Sequence, residues 1–161
     1  MAANPLEALF KMRKENNDKR EKEVEARKKL IKDSLEIMNP LCESMFLNIT
    51  KAVDYANKEL LHSKLHVLSK DRTTELDSLY LRKGIILVVA TNKDIKPPTI
   101  RNFSNYTTLI FDSDLDSKTT KITFFRGGRE NKIREHSDIN IDLKNMVYTE
   151  IAGFLANNYI N

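Results

Sequence analysis

The stretch IKDSLEIMNPLCESMFLNITKAVDYANKEL, residues 31–60, decides the fold. Its apolar and small side chains recur at alternating intervals of four and three residues, the period of one face of an α-helix. These positions are Ile31, Leu35, Met38, Cys42, Met45, Ile49, Ala52 and Ala56. Such spacing is typical of a coiled coil, but further apolar residues widen the stripe beyond a coiled-coil seam: Leu41, Phe46, Val53 and Leu60. We therefore predict a helix that packs on a sheet or a bundle, with surplus apolar area that favours a homodimer.

The dipeptide Asn39-Pro40 interrupts this stripe without changing its spacing. A proline inside a helix removes a hydrogen bond and clashes with the preceding turn. Two structures fit the pattern: one helix kinked at Pro40, or two helices with Asn39 capping the second. Because the spacing continues through the proline, both pieces should pack on the same surface, and we favour a kink or a tight break.

The residues before the stripe form a charged segment. Asn4 and Pro5, with a glutamate three residues after the asparagine, resemble the start of a helix. Residues 13–23, RKENNDKREKE, contain no apolar side chain, so a helix there depends on weak pairs between oppositely charged neighbours. We expect a solvated helix or a fraying spacer. We assign residues 1–30 to a projecting charged helical arm and residues 31–161 to a single α+β domain.

The second half of the chain favours strands. Residues 84–90, GIILVVA, indicate a central strand that is buried on both faces. Residues 106–111 and 121–125 should pair as an antiparallel hairpin, because their linker is too short for a crossover helix. Residues 139–141 indicate a short edge strand, and Asp142 can cap a last helix. The predicted fold is α+β, with a long N-terminal helix, a mainly antiparallel sheet of four or five strands and a C-terminal helix.

Composition limits the classes of function. The chain has 161 residues, of which 40% are hydrophobic and 31% are charged, and its net charge is +4. No apolar run approaches the ~20 residues that a membrane span needs, and no signal peptide is visible. The one cysteine, Cys42, cannot form an internal disulfide, so we expect a reducing compartment, the cytoplasm. The modest positive charge permits nucleic acid as a partner without requiring it.

Acidic residues follow the strand that we predict at residues 106–111. Asp112, Asp114 and Asp116 alternate there as in some metal-binding loops. The glycine and glutamate that a calcium loop needs at its sixth and twelfth positions are replaced by Ser117 and Thr123. We therefore interpret the acidic residues as a solvated hairpin turn.

Histidine and cysteine residues give no convincing site. His62 and His66 have the spacing of two metal ligands on a helix, with Glu59 one turn before them, but they lie where the helix should end. His136 is interpreted as a lone loop histidine, and Cys42 as a core residue. The sequence has no serine elbow, glycine-rich phosphate loop or CxxC pair. We predict no enzyme activity, no catalytic residue, no cofactor and no metal.

The N-terminal residues are the best candidate for a binding site. Leu6, Leu9 and Phe10 share one helix face, and Arg13 continues it, which is the arrangement of helices that dock in a groove of another protein. A membrane surface or a disordered terminus would also fit the pattern. We predict a non-catalytic adaptor that binds a protein partner, or a second copy of itself, through these residues.

Nucleic-acid binding is the alternative function. A basic loop next to an aromatic pair can hold phosphates and stack bases. The residues that would do this lie in the charged arm and in the predicted loop from Arg126 to Arg134: Lys28, Lys29, Phe124, Arg126, Arg129, Lys132 and Arg134.

Overall fold

The computed structural model describes residues 4–73, 79–115, 117–126, 129–136 and 142–161. For residues 72–73, 125–126 and 129–136 it describes the backbone only. In chain order the elements are helix α1 (Pro5–Glu59), strands β1 (Ser63–Thr73), β2 (Tyr80–Asn92), β3 (Thr107–Asp114), β4 (Thr119–Arg126) and β5 (Arg129–His136), and helix α2 (Leu143–Asn157). A short 3-10 helix, Phe103–Asn105, precedes β3. The predicted α+β class, with a helix at each end of an antiparallel sheet, is confirmed.

The chain divides into two compact units, Met1–Asp33 and Ser34–Asn161, so their boundary falls inside α1. In the first unit, residues 5–33 form the first part of α1 and none of them is buried. The cap predicted for the helix start is confirmed, because Oδ1 of Asn4 accepts a hydrogen bond from the backbone N–H of Leu6 at 3.0 Å. Residues 13–23 are helical and exposed, which is the solvated helix of the two predicted states. The projection of residues 1–30 stays a prediction.

Helix α1 continues through Pro40, so the alternative of two separate helices is wrong. Met38 and Cys42, which flank the proline, are both 0% exposed. Burial of the stripe on each side of the proline offsets the ~3 kcal/mol that a proline costs in a helix interior. Asn39 does not cap a second helix, because its side chain binds the sheet. Its Nδ2 donates to the carbonyl of Tyr80 at 3.2 Å, and its Oδ1 accepts from the backbone N–H of Arg82 at 2.9 Å.

The five strands form one antiparallel sheet in the order β1-β2-β3-β4-β5. Its core lies between one face of the sheet and two helices: residues 45–56 of α1, and Val147, Ile151 and Phe154 of α2. The stripe on α1 is therefore covered by the sheet of the same chain. Of residues 45–56, the stripe positions Met45, Ile49, Ala52 and Ala56 are buried in this core, whereas Leu47 and Tyr55 are exposed. The homodimer stays a prediction.

The central strand behaves as its composition predicts. Residues 86–89 of β2, Ile-Leu-Val-Val, are all buried, although successive side chains of a strand point to opposite faces. The predicted hairpin is also confirmed as β3 and β4, whose register pairs Phe111 with Ile122. The cap predicted for the last helix is also confirmed, because the side chain of Asp142 accepts a hydrogen bond from the backbone N–H of Asn145 at 3.2 Å.

Two expectations for the chain between β4 and α2 have different outcomes. The basic loop expected from Arg126 to Arg134 is wrong, because β4 extends to Arg126 and β5 begins at Arg129. Because Ile133 is the one apolar residue of β5, the strand has no alternating pattern by which to recognise it, and an edge strand can be largely polar. The edge strand predicted at residues 139–141 and the turn at residues 127–128 lie outside the described residues.

Candidate functional site

The predicted partner-binding residues lie on the first turns of α1. Leu6 is 61% exposed, Phe10 is 60% exposed, and Met12 beside them is 54% exposed. Leu9 is half-buried and Arg13 is exposed. Residues at positions i and i+4 of a helix lie one above the other, so Leu6 and Phe10 form a continuous apolar patch. No residue of the helical segment 5–33 is buried, so these side chains do not contribute to a core there.

Charged residues surround this apolar patch unevenly. Lys11, Arg13 and Lys14 follow it within one turn, whereas Glu7 is the one acidic residue between positions 5 and 14. Further along the helix the signs are mixed, and Lys28 contacts Glu25 at 3.7 Å. The patch is therefore apolar at its centre and positively charged on its C-terminal side.

The residues of the nucleic-acid alternative are divided between the two units. Lys28 and Lys29 belong to the first unit, where Lys29 is exposed and Lys28 is half-buried. Phe124 belongs to the core of the second unit, because its ring contacts Phe154 edge to face with 5.9 Å between the ring centroids. A ring held in this way is a poor platform for stacking a base. The remaining candidates occupy β4 and β5: Arg126, Arg129, Lys132 and Arg134.

The histidine pair does not share a helix. Helix α1 ends at Glu59, His62 follows it in a bend, and His66 lies on β1. The four-residue spacing therefore does not place the two imidazoles on one face of a helix. Nε2 of His66 lies 2.9 Å from Oγ1 of Thr91. Burial lowers the pKa of His66, and the charge of Lys64 lowers it further. In the part of the chain that the structure describes, no three metal-ligating side chains come together.

The other polar candidates belong to strands or to the core. Asp112 and Asp114 lie on β3, so the predicted turn at residues 112–119 is shorter than expected, and the register sets Asp112 opposite Lys121. Asp116 lies outside the described residues. His136 is the last residue of β5, so its assignment to a loop is wrong. Cys42 is 0% exposed, which confirms its interpretation as a core residue.

A cavity of about 330 Å³ opens where β2 ends and β3 begins, against the residues that follow α2. It is lined by Ser63, Ala90, Thr91, Asn92, Ile95, Asn105, Tyr106, Thr107, Asn158, Tyr159 and Ile160. No carboxylate or basic side chain is among these residues. The lining therefore offers hydrogen-bond donors and acceptors to a neutral ligand.

Two asparagines that sequence reasoning missed join α1 to the sheet. Asn39 binds the backbone of β2, as described above. Asn57 binds both backbone groups of Leu65 on β1: its Nδ2 donates to the carbonyl at 3.0 Å, and its Oδ1 accepts from the N–H at 2.8 Å. The two asparagines are eighteen residues apart, which is five helical turns, so they share one side of the helix. Two asparagines five helical turns apart, beside an apolar stripe, were the sequence pattern that could have indicated these contacts.

Comparisons of the chain with protein-family models, with curated proteins and with solved structures found no match. Among the described residues, no helix is both long enough and apolar enough to cross a membrane.

Proposed function

We propose that the protein is a non-catalytic adaptor that binds a partner protein through the first turns of α1. The observation that carries this proposal is the exposure of Leu6 and Phe10, at 61% and 60%, on a helical segment that buries none of its residues. Single exposed apolar residues are common on protein surfaces. An exposed pair at positions i and i+4, with Leu9 beside it and Arg13 at i+7, matches the anchors that a helix places in a groove.

The charges next to these anchors define the partner's chemistry. Lys11, Arg13 and Lys14 would lie at the rim of the contact while the apolar side chains enter the groove. Opposite charges across an interface steer association and select the partner. We therefore propose a partner with an apolar groove and an acidic rim. Action in the cytoplasm is part of the same proposal, supported by the single cysteine and its burial.

The test compares two double variants that carry the same added charge. Leu6→Asp with Phe10→Asp replaces the anchors, whereas Asn16→Asp with Asn17→Asp adds the same charge to the exposed polar part of the segment. The partner is first captured from nuclease-treated lysate, and its affinity for each purified variant is then measured by calorimetry. We expect the anchor variant to bind at least about tenfold more weakly, because two apolar side chains are lost from the contact. The control should bind like the unaltered chain.

Equal binding by the two variants would show that the anchors are not used. If the unaltered chain sediments as a dimer and the anchor variant as a monomer, the partner would be a second copy of the chain rather than another protein. If the unaltered chain binds vesicles of anionic phospholipid and the anchor variant retains every protein partner of the unaltered chain, these residues would be assigned to a membrane surface.

Nucleic-acid binding is a second candidate function, which the β4–β5 register supports. The register sets Arg126 directly opposite Arg129. Arginine is well suited to bidentate binding of phosphate, so two arginines at paired positions of the register support a phosphate contact. This function predicts that affinity for RNA or DNA falls steeply with salt, and that Arg129→Gln reduces the slope by about one. A binding constant that does not change with salt would contradict it.

A further inference from the structure

We propose that the outer edge of β1 binds an extended acidic segment of a partner protein, which adds a strand to the sheet. This surface belongs to the second unit and does not involve the residues of α1 to which the adaptor function is assigned. Strand β1 is the terminal strand of the sheet, so one side of its backbone has no neighbouring strand among the described residues. Such an edge is a ready template for a further strand.

Two contacts establish which backbone groups of β1 point outward. The backbone N–H of Lys93 donates to the carbonyl of His62 at 3.1 Å, so this pair is hydrogen-bonded across the two strands. Residues of an antiparallel pair alternate between hydrogen-bonded and outward-pointing positions. Leu65 is therefore outward-pointing, and Asn57 does bind its N–H and its carbonyl from outside. By the same alternation, Val67 and Ser69 direct their backbone groups away from β2.

The backbone of Val67 and Ser69 lacks a partner among the described residues. Asn57 binds Leu65 as a neighbouring strand would, but it reaches no further along the edge. No hydrogen bond within the described residues links either Val67 or Ser69 to a group outside the β1–β2 ladder. Beyond them the register shifts between Lys70 and Arg72, and this bulge ends the regular edge. The open edge thus extends from Val67 to Ser69.

The side chains that flank this open edge indicate an acidic partner. Lys64, His66, Leu68 and Lys70 occupy alternate positions of β1 and therefore lie on one face of the sheet. Lys64 and Lys70 are both exposed. Carboxylates at alternate positions of the added strand would lie on this face, opposite these lysines.

A second copy of the chain fits this edge less well. An antiparallel copy centred on Val67 would set Lys64 opposite Lys70, and one centred on Leu68 would set His66 opposite Lys70. Both arrangements place basic side chains against each other, which destabilises a sheet. Charge complementarity therefore favours an acidic segment from another protein.

The first experiment uses two blocked peptides of about six residues, in which valine alternates with glutamate in one and with lysine in the other. Each carries a fluorescent label, and binding to the full chain is followed by anisotropy. We expect the glutamate peptide to bind at least about tenfold more tightly than the lysine peptide. In hydrogen exchange followed by NMR, it should slow exchange at the amides of Val67 and Ser69 by about tenfold or more. Equal affinity for both peptides, or unchanged exchange at these amides, would overturn the proposal.

Variants of Ser69 separate edge pairing from general charge attraction. Ser69→Pro removes an outward N–H and leaves the ladder with β2 intact, since proline is tolerated on an edge strand. Ser69→Ala keeps the N–H and is the matched control. We expect the proline variant to bind the glutamate peptide about tenfold more weakly and the alanine variant to bind it normally. If the proline variant binds as tightly as the alanine variant, the peptide does not pair with this edge.

A charge variant makes the result independent of how the proline variant folds. Lys64→Glu with Lys70→Glu should exchange the preference, so that the lysine peptide binds more tightly than the glutamate peptide. An unchanged preference would contradict the proposal. Protection of Val67 and Ser69 in the free chain that increases with protein concentration would assign the edge to a second copy and overturn the acidic-segment proposal.

Discussion

The two parts of helix α1 share a backbone conformation and differ in their surroundings. Residues 5–33 bury no side chain, whereas residues 34–59 contain all nine buried residues of the helix. The first part must rely on helix propensity and on pairs such as Glu25–Lys28, each worth about 0.2–0.5 kcal/mol. The second part is stabilised by burial against the sheet and α2. A continuous helix thus combines a solvated segment with a core element.

This difference also separates surfaces that are free to bind from those that build the fold. On the first part, large apolar side chains such as Leu6 and Phe10 are exposed. On the second part, the apolar stripe is covered and two asparagines bind the sheet backbone. An exposed anchor at the helix start can therefore be changed without removing a core contact, which makes the comparison testable by matched substitutions.

The largest effect is expected from shortening one apolar side chain in each part of α1. Ile49→Ala should lower the free energy of unfolding by about 2–5 kcal/mol, because Ile49 is fully buried and its truncation leaves a cavity. Val24→Ala should change it by less than about 0.5 kcal/mol, because Val24 is exposed. Urea unfolding measures both free energies, and an equal slope of the free energy against urea concentration makes the variants comparable. A large loss for Val24→Ala would show that the first part is packed in solution.

A smaller effect is expected from removing an asparagine contact to the sheet. Asn57→Ala leaves the N–H and carbonyl of Leu65 without their partner and should cost about 1–3 kcal/mol. Asn48→Ala is the control, since Asn48 donates only to the carbonyl of Ser44 in the preceding turn. We expect the control to change the free energy of unfolding by less than about 0.5 kcal/mol. Similar losses for the two variants would mean that the Asn57 contact adds nothing specific.

The smallest effect concerns the pH dependence of stability at His66. Because the pKa of His66 is lowered in the folded chain, the unfolded chain takes up this proton first as the pH falls. The contribution of neutral His66 to the free energy of unfolding is thus fully present above its unfolded pKa of about 6.5. This contribution decreases as the pH falls below that value.

His66→Gln should reduce this decline when unfolding is compared at about pH 7.5 and about pH 5.5. His62→Gln controls for removal of an exposed histidine. An unchanged decline in the His66 variant would show that another group causes it.

Regular patterns in the sequence predicted much of the fold. The stripe from Leu35 to Ala56 is buried as its spacing predicts, and so is the central strand at residues 86–89. The caps at Asn4 and Asp142 also form as local chemistry predicts. These features depend on residues that are close in sequence, so a single chain reveals them.

The predictions from sequence failed where the local structure depends on residues that are distant in the chain. Strand β5 has too many charged residues to be recognised alone, and its pairing with β4 defines it. The histidine spacing suggested a helix, but the chain turns into β1 after Glu59. The open edge at Val67 and Ser69 was not predicted, because it depends on strand order and on the phase of hydrogen bonding.

The sequence by itself determined the periodicity of α1, the caps, the buried central strand and the solvated charged segment. Each follows from side-chain chemistry at fixed spacing along the chain. Only the tertiary structure decided that α1 continues through Pro40 and that Asn39 and Asn57 bind the sheet. It also decided which edge of β1 stays open. Those outcomes depend on burial and backbone pairing between segments far apart in the chain, which no local pattern encodes.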